Sequence, residues 1–167
     1  VTGVQTCALP ISSSKDGVSV IGTAVNNSIR GNSIYGNAGL GIDLNDNGVT
    51  ANDETVSPFD TDAGPNNLQN FPNLGIPLTN GGSLIVIPGQ LRTQDGVYQI
   101  DFYSSPAGSG DPSLYGEGRT YLGTRVLNVV GGIGVFNETI SGVAVAPGSL
   151  ITATATNING NTSEFSR

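Results

Sequence analysis

Apolar and polar positions alternate along this chain with two different grains. Between residues 17 and 44 the apolar positions are sparse: Val18 and Val20, then Ile29 and Ile34, then Leu40, Ile42 and Leu44, separated by polar or glycine positions. Such alternation suits short strands with one buried face. Gly17-Val18-Ser19-Val20 and Gly39-Leu40-Gly41-Ile42 share a pattern at a spacing of 22 residues, from position 17 to position 39. Between them lie two nearly identical pentads, Asn27-Ser28-Ile29-Arg30-Gly31 and Asn32-Ser33-Ile34-Tyr35-Gly36. A helix is excluded, because Ile29 and Ile34 drift around the wheel and Gly or Asn falls in every turn. Gly and Asn tolerate the left-handed backbone of sharp corners. Two strand topologies remain, a hairpin meander and a coil whose turns stack in parallel. The period favours the coil. A stack of repeats generally needs three or more turns to bury its apolar face, so the segment is expected to end a longer solenoid whose other turns are missing here.

From about Asn80 the strands lengthen. Ser83–Ile87, Val97–Tyr103, Thr120–Val129, Gly134–Ile140 and Leu150–Thr156 each read as a strand. In the second, Tyr98, Ile100 and Phe102 share one face; in the last, Ile151, Ala153 and Ala155 alternate with Thr. Asn159-Gly160 signals a type I′ hairpin turn into a strand over Thr162–Phe165. This grammar predicts an immunoglobulin-like β-sandwich, with a small barrel as the alternative. The stretch Gly64–Pro77 carries Pro65, Pro72 and Pro77, which disfavour helix and sheet interior. It predicts an extended connector whose Leu68, Phe71 and Leu74 cover the open end of the coil. A plain linker is the alternative.

Composition narrows the function. The chain has 25 Gly and 9 Pro in 167 residues, which fits an all-β protein with many tight turns. It has no His, so Ser-His-Asp triads, Cys-His pairs and His-ligated zinc are excluded. With 6 basic against 13 acidic residues the net charge is −7, which argues against nucleic acid as a partner. No apolar run is long enough to insert in a membrane. Richness in Asp, Asn and Thr with little Lys suits an extracellular or cell-surface protein.

Three resemblances follow. Val1-Thr2-Gly3-Val4-Gln5-Thr6-Cys7-Ala8-Leu9-Pro10-Ile11 resembles the translation of a sequencing adapter, so residues 1–12 are set aside from the fold, and Cys7 says nothing about redox compartment. The run from Asn32 to Pro72, with G-N-S-I-Y-G-N-A-G-L-G-I-D-L, N-D-N-G-V-T-A-N-D and D-T-D-A-G-P-N-N-L-Q-N-F-P, is similar to bacterial secreted proteins with right-handed parallel β-helix repeats. In that family such a run marks the last rungs. The segments I-D-F-Y-S-S-P, D-P-S-L-Y-G-E-G-R-T-Y-L-G and I-T-A-T-A-T-N-I-N-G-N-T-S-E-F-S resemble the Ig-like module that follows the β-helix there. Some relatives carry a Cys near the position of Gly110, which this chain lacks. The resemblances imply an all-β chain: a truncated right-handed parallel β-helix stub plus a C-terminal immunoglobulin-like β-sandwich. The boundaries are coil rungs at 13–63, cap and linker at 64–79, and sandwich at 80–167.

One loop suggests chemistry. Asp43 to Glu54 fits D-x-[DN]-x-[DN]-G-x5-E, the calcium-loop pattern of EF-hands. Ca²⁺ takes six to eight oxygens, and Gly48 permits the turn. The expected ligands are Asp43, Asn45, Asn47, the Val49 carbonyl and Glu54, with Asp60 and Asp62 as a second cluster. No helix flanks the loop, and a solvated Asn/Asp turn is the alternative reading. In the loop over 111–118, Asp111, Tyr115 and Glu117 are candidates for a sugar or ion contact. Asp101 and Glu117 are not read as a glycosidase pair, since the sequence fixes no separation between them.

The function expected is a non-enzymatic stalk or adhesion module of a secreted or cell-surface bacterial protein, stabilised by calcium. One alternative is the non-catalytic C-terminal part of a polysaccharide lyase or hydrolase. Another is a carbohydrate-binding module using Tyr98, Tyr103, Tyr115 and Tyr121, with a polysaccharide or cell-surface glycan as partner.

Overall fold

A computed structural model describes residues 10–55, 57–79 and 83–167. The class is all-β, as expected, and no α-helix occurs among the described residues. The N-terminal part holds two short strands, β1 (Val18–Val20) and β2 (Ile42–Leu44), which pair in parallel. The chain therefore coils between them and does not zigzag. Flanking contacts extend the stack: Ile11 bridges Ile34 in parallel, and the Gly39 amide donates to the Lys15 carbonyl at 3.0 Å. This is one stacked turn, short of the repeating stack that defines a parallel β-helix. Ile11, set aside with the adapter-like segment, takes part in it; Cys7 lies outside the described residues.

The register differs from the sequence repeat. Val18 pairs with Ile42, not with Leu40. Gly17 explains the shift: a Cβ there would lie 2.6 Å from the Gly41 carbonyl oxygen, so the coil closes where these glycines face each other. A two-residue shift keeps every side chain on its expected face.

The rest forms two antiparallel sheets. In one, β5 (Leu84–Arg92) lies between β8 (Ile133–Ser141) and the short β3 (Asn73–Leu74) and β4 (Leu78–Thr79). In the other, β6 (Gly96–Ser105) lies between β7 (Thr120–Val129) and β9 (Leu150–Asn157). Ile85, Ile87, Leu91 and Phe136 of the first sheet pack against Ile100, Phe102, Leu127 and Ala155 of the second, in one core consistent with a β-sandwich. The Phe102 and Phe136 rings meet edge to face at 5.6 Å.

β5 runs beyond the expected end at Ile87, through Pro88. The Pro88 carbonyl accepts from the Gly75 amide at 2.8 Å, on the side where the chain passes from β3 to β4. The missing proline N–H faces that same side, so no ladder bond to β8 is lost. The Asn159-Gly160 turn is not type I′, which needs positive φ at both central residues. Only Gly160 has one, at 89°, and the Gly160 amide donates to the Asn157 carbonyl at 3.0 Å, which makes a three-residue loop. Thr162–Phe165 is not a regular strand. It meets β9 through the Thr156–Thr162 bridge and through two reciprocal pairs of bonds: the Ser163 amide donates to the Ala155 carbonyl at 2.9 Å and the Ser166 amide to the Ala153 carbonyl at 2.8 Å, while the amides of Ala155 and Ala153 donate to the Ser163 and Ser166 hydroxyls, both at 2.9 Å.

From Ile100 onward β6 is buried on both faces. Tyr98, Ile100 and Phe102 point into the sandwich core, while Tyr103 belongs to a second core with Val20, Ile34, Ile42, Leu44 and Phe165. Asp101, on the same side as Tyr103, has no exposed surface. The coil thus lies against the outer face of the β7-β6-β9 sheet and makes a third layer.

Candidate functional site

The candidate calcium ligands do not gather around one point. Asp43 is buried, and its carboxylate accepts the amides of Asn47 (3.2 Å) and Gly48 (2.8 Å), which makes it the staple of its own turn. Asn45 turns the chain with φ of 96°, and its amide donates to the Val20 carbonyl at 2.8 Å. Asn45 and Asn47 are exposed, and Val49 borders a shallow cavity with Asp43, Asp16 and Asp46. Glu54 lies elsewhere, accepting from the side-chain amides of Asn52 and Asn73. Asp60 accepts from Gln69, Thr93 and the Asn70 amide, and Asp62 is exposed. Among the described residues no group of three or more acidic or other metal-binding side chains converges. A calcium loop needs its oxygens turned toward one centre. Here the carboxylates of Asp43, Glu54 and Asp60 are spent on nearby amides or hydroxyls, so the residues do not fit that ion as arranged.

Asp53 and Asp60 instead anchor a polar knot. The Asp53 carboxylate accepts the Asp60 amide (2.7 Å) and the Asn70 side chain (2.9 Å), while the Tyr98 hydroxyl meets Thr93 at 3.1 Å. Burial pushes the Asp60 carboxyl up to about 6, against hydrogen bonds from Thr93 and the Asn70 amide that pull it down.

The most organised polar arrangement is one that the sequence did not announce. The outer edge of the coil presents backbone amides with no further turn beside them, and the connector and the C-terminal half meet them one by one. The Asn26 amide donates to Asn161 Oδ1 (2.6 Å), Asn27 to Asn66 Oδ1 (3.0 Å) and Ile29 to Thr162 Oγ1 (2.9 Å). The Gly31 amide donates to the Tyr103 hydroxyl at 3.0 Å. Ile34 exchanges two backbone hydrogen bonds with Gly118, both 2.8 Å. The Glu117 carboxylate takes the amides of Gly36 (2.7 Å) and Asn37 (3.0 Å). Glu164 takes those of Leu44 and Thr50, both at 2.9 Å. Asn66 reaches its place with φ of 48°, a left-handed conformation that Asn tolerates.

Charge and packing complete this seam. Arg30 grips Asp101 with two parallel hydrogen bonds, Nε to Oδ2 and Nη2 to Oδ1, each 2.8 Å. The hydrogen bond to Asp101 holds the Arg30 guanidinium above its ordinary value. Phe165 plugs the coil. A Cβ at Gly41 would lie 2.8 Å from its ring, and one at Gly118 would lie 2.7 Å from both Phe165 and Tyr103. Burial raises the Tyr103 hydroxyl and pushes the Glu164 carboxyl up to about 7.

The connector residues divide. Leu68 packs on the coil core, Leu74 on the sandwich core, and Phe71 meets Tyr115 edge to face at 5.4 Å. Of the tyrosines considered as sugar platforms, Tyr98 and Tyr103 are buried, while Tyr115 is partly and Tyr121 well exposed. Glu117, spent on the coil amides, is separated in role from Asp111, whose Oδ1 accepts the Ser113 amide at 2.6 Å. No known family model matches the chain, and no solved structure matches it.

Proposed function

We propose that the chain is a terminating unit for a parallel coil: the last turn of a right-handed β-helix closed by an Ig-like β-sandwich, in a structural stalk or adhesion protein of the bacterial surface or exterior. The observation that carries this reading is the seam. A coil end exposes strand edges that template further pairing. Here its amides are taken by Asn161, Thr162, Tyr103, Glu117 and Glu164, and its apolar interior is filled by Phe165. The parallel pairing of β1 with β2 and the family resemblance of Asn32–Pro72 support the β-helix; the two facing sheets support the sandwich. The role is mechanical, to stop the stack and to hold it rigidly against the next layer. Calcium is not a premise of this reading.

Amide hydrogen exchange on the intact chain tests it. The amides of Ile29, Gly36, Asn37 and Leu44 should be protected to the degree of Ile100 in β6. Glu117→Ala should release Gly36 and Asn37 and leave Ile100 protected. Rapid exchange of these coil amides in the unsubstituted chain would overturn the reading.

A further inference from the structure

We propose that the cavity beside Tyr115 binds a sugar ring through its hydroxyls and its apolar face. The cavity, about 360 Å³, lies between the 108–116 loop and the start of β9. This is within the size range of small-molecule sites. None of its lining residues is a side chain that caps a coil amide, and the proposal does not depend on the capping role.

Three features of its lining bear on a ligand. Asp111 is only 7% exposed, and its Oδ2 is buried with no hydrogen-bond partner. A buried acceptor left unpaired bears its full desolvation cost. Leu114 sits at φ of 69°, a left-handed conformation that strains a bulky residue, yet it is 66% exposed and so gains little by burial. Strain of this kind collects at ligand clamps. Tyr115 presents an aromatic wall steadied by the edge of Phe71.

The ligand chemistry follows from the lining. Asp111 has one oxygen without a donor and Arg167 adds a positive charge to the lining, while Leu114, Tyr115 and Leu150 offer apolar surface. A hydroxyl donates and accepts, and a sugar ring joins hydroxyls to a C–H face. A simple cation would serve Asp111 but face the like charge of Arg167 and leave the apolar wall unmatched. A purely apolar ligand would leave Asp111 unpaired.

The test is an NMR titration of the intact, isotope-labelled chain with cellotetraose, xylotetraose and tetragalacturonate at millimolar concentrations. At least one should shift the amides of Gly110, Leu114, Gly116 and Ile151, and leave β5 and β8 unmoved. Asp111→Asn, which keeps an acceptor for the Ser113 amide, should weaken binding about tenfold, the scale of one hydrogen bond to a charged group. Leu114→Asn, a residue at ease with positive φ, should keep the fold and weaken binding severalfold. The proposal is overturned if none of the sugars shifts these amides, if the shifts survive both substitutions, or if calcium or ethylammonium shifts them and the sugars do not.

Discussion

Asp101 and Glu138 each accept from an arginine at 2.8 Å, yet the two pairs are not equivalent. Arg125 and Glu138, joining β7 to β8, keep 35% and 22% of their side chains exposed, so water screens the attraction and competes for both groups. Asp101 keeps 1%, and Arg30 reaches it across the seam from the coil. Removing one partner of a buried pair strands the other charge away from water. Thr124 also donates to Asp101, but one hydroxyl does not replace a guanidinium. Arg30→Ala should therefore cost about 3 kcal/mol or more, and Arg125→Ala less than about 1 kcal/mol. Urea unfolding of the two variants measures the difference. Equal losses would mean that Asp101 is hydrated in solution and that the seam opens around it.

At the scale of elements, a side chain can do the work of a strand. Glu164 binds the Leu44 and Thr50 amides beside β2, where another turn of coil would otherwise pair. Its carboxyl is raised from 4.5 to about 7, with burial the largest cause. An acid raised on folding holds a proton in the folded state that the unfolded chain has released, so stability falls as pH rises between the two values. Asp60, raised from 3.8 to about 6, acts in the same direction over its own window. The melting temperature should fall between pH 4.5 and 7, and Glu164→Gln should flatten that slope, most of all toward its upper end. General repulsion in a chain of net charge −7 also eases in acid. The variant separates the two: an unchanged slope would assign the effect to overall charge and not to Glu164.

Strand β9 shows what the sequence could and could not reveal. Ala153 and Ala155 face the sandwich core as their alternation with Thr predicted, because burial on one face leaves a period of two. The threonine side, on which the alternation is silent, is buried beneath the C-terminal segment, where Thr156 meets Thr162 at 2.9 Å. Register in the coil escaped because close approach of Gly17 and Gly41 sets it, and a repeat pattern carries no distances. The acidic loop looked like an ion cage because composition does not say whether a carboxylate turns to an ion or to a nearby amide. Glu117 and Glu164 were invisible as caps since their partners lie 81 and 120 positions away.

Across the whole molecule, those long separations decide how the chain unfolds. A linker between a coil and a sandwich would leave each layer its own core and its own melting transition. The coil here cannot close its core alone: Val20, Ile34, Ile42 and Leu44 are completed by Tyr103 from β6 and Phe165 from the C-terminal segment. β6 in turn gives its other face to the sandwich, so one strand belongs to both cores. Loss of the coil would bare Asp101 and Tyr103, and loss of the sandwich would remove the plug. Elements that share buried groups behave as one cooperative unit. Methyl NMR through thermal unfolding should therefore show Ile34 and Ile42 losing their native signals at the same midpoint as Ile100 and Leu127. An earlier midpoint for the coil methyls would make the layers independent, and Phe165 would then be a surface contact between them instead of the peg that joins them.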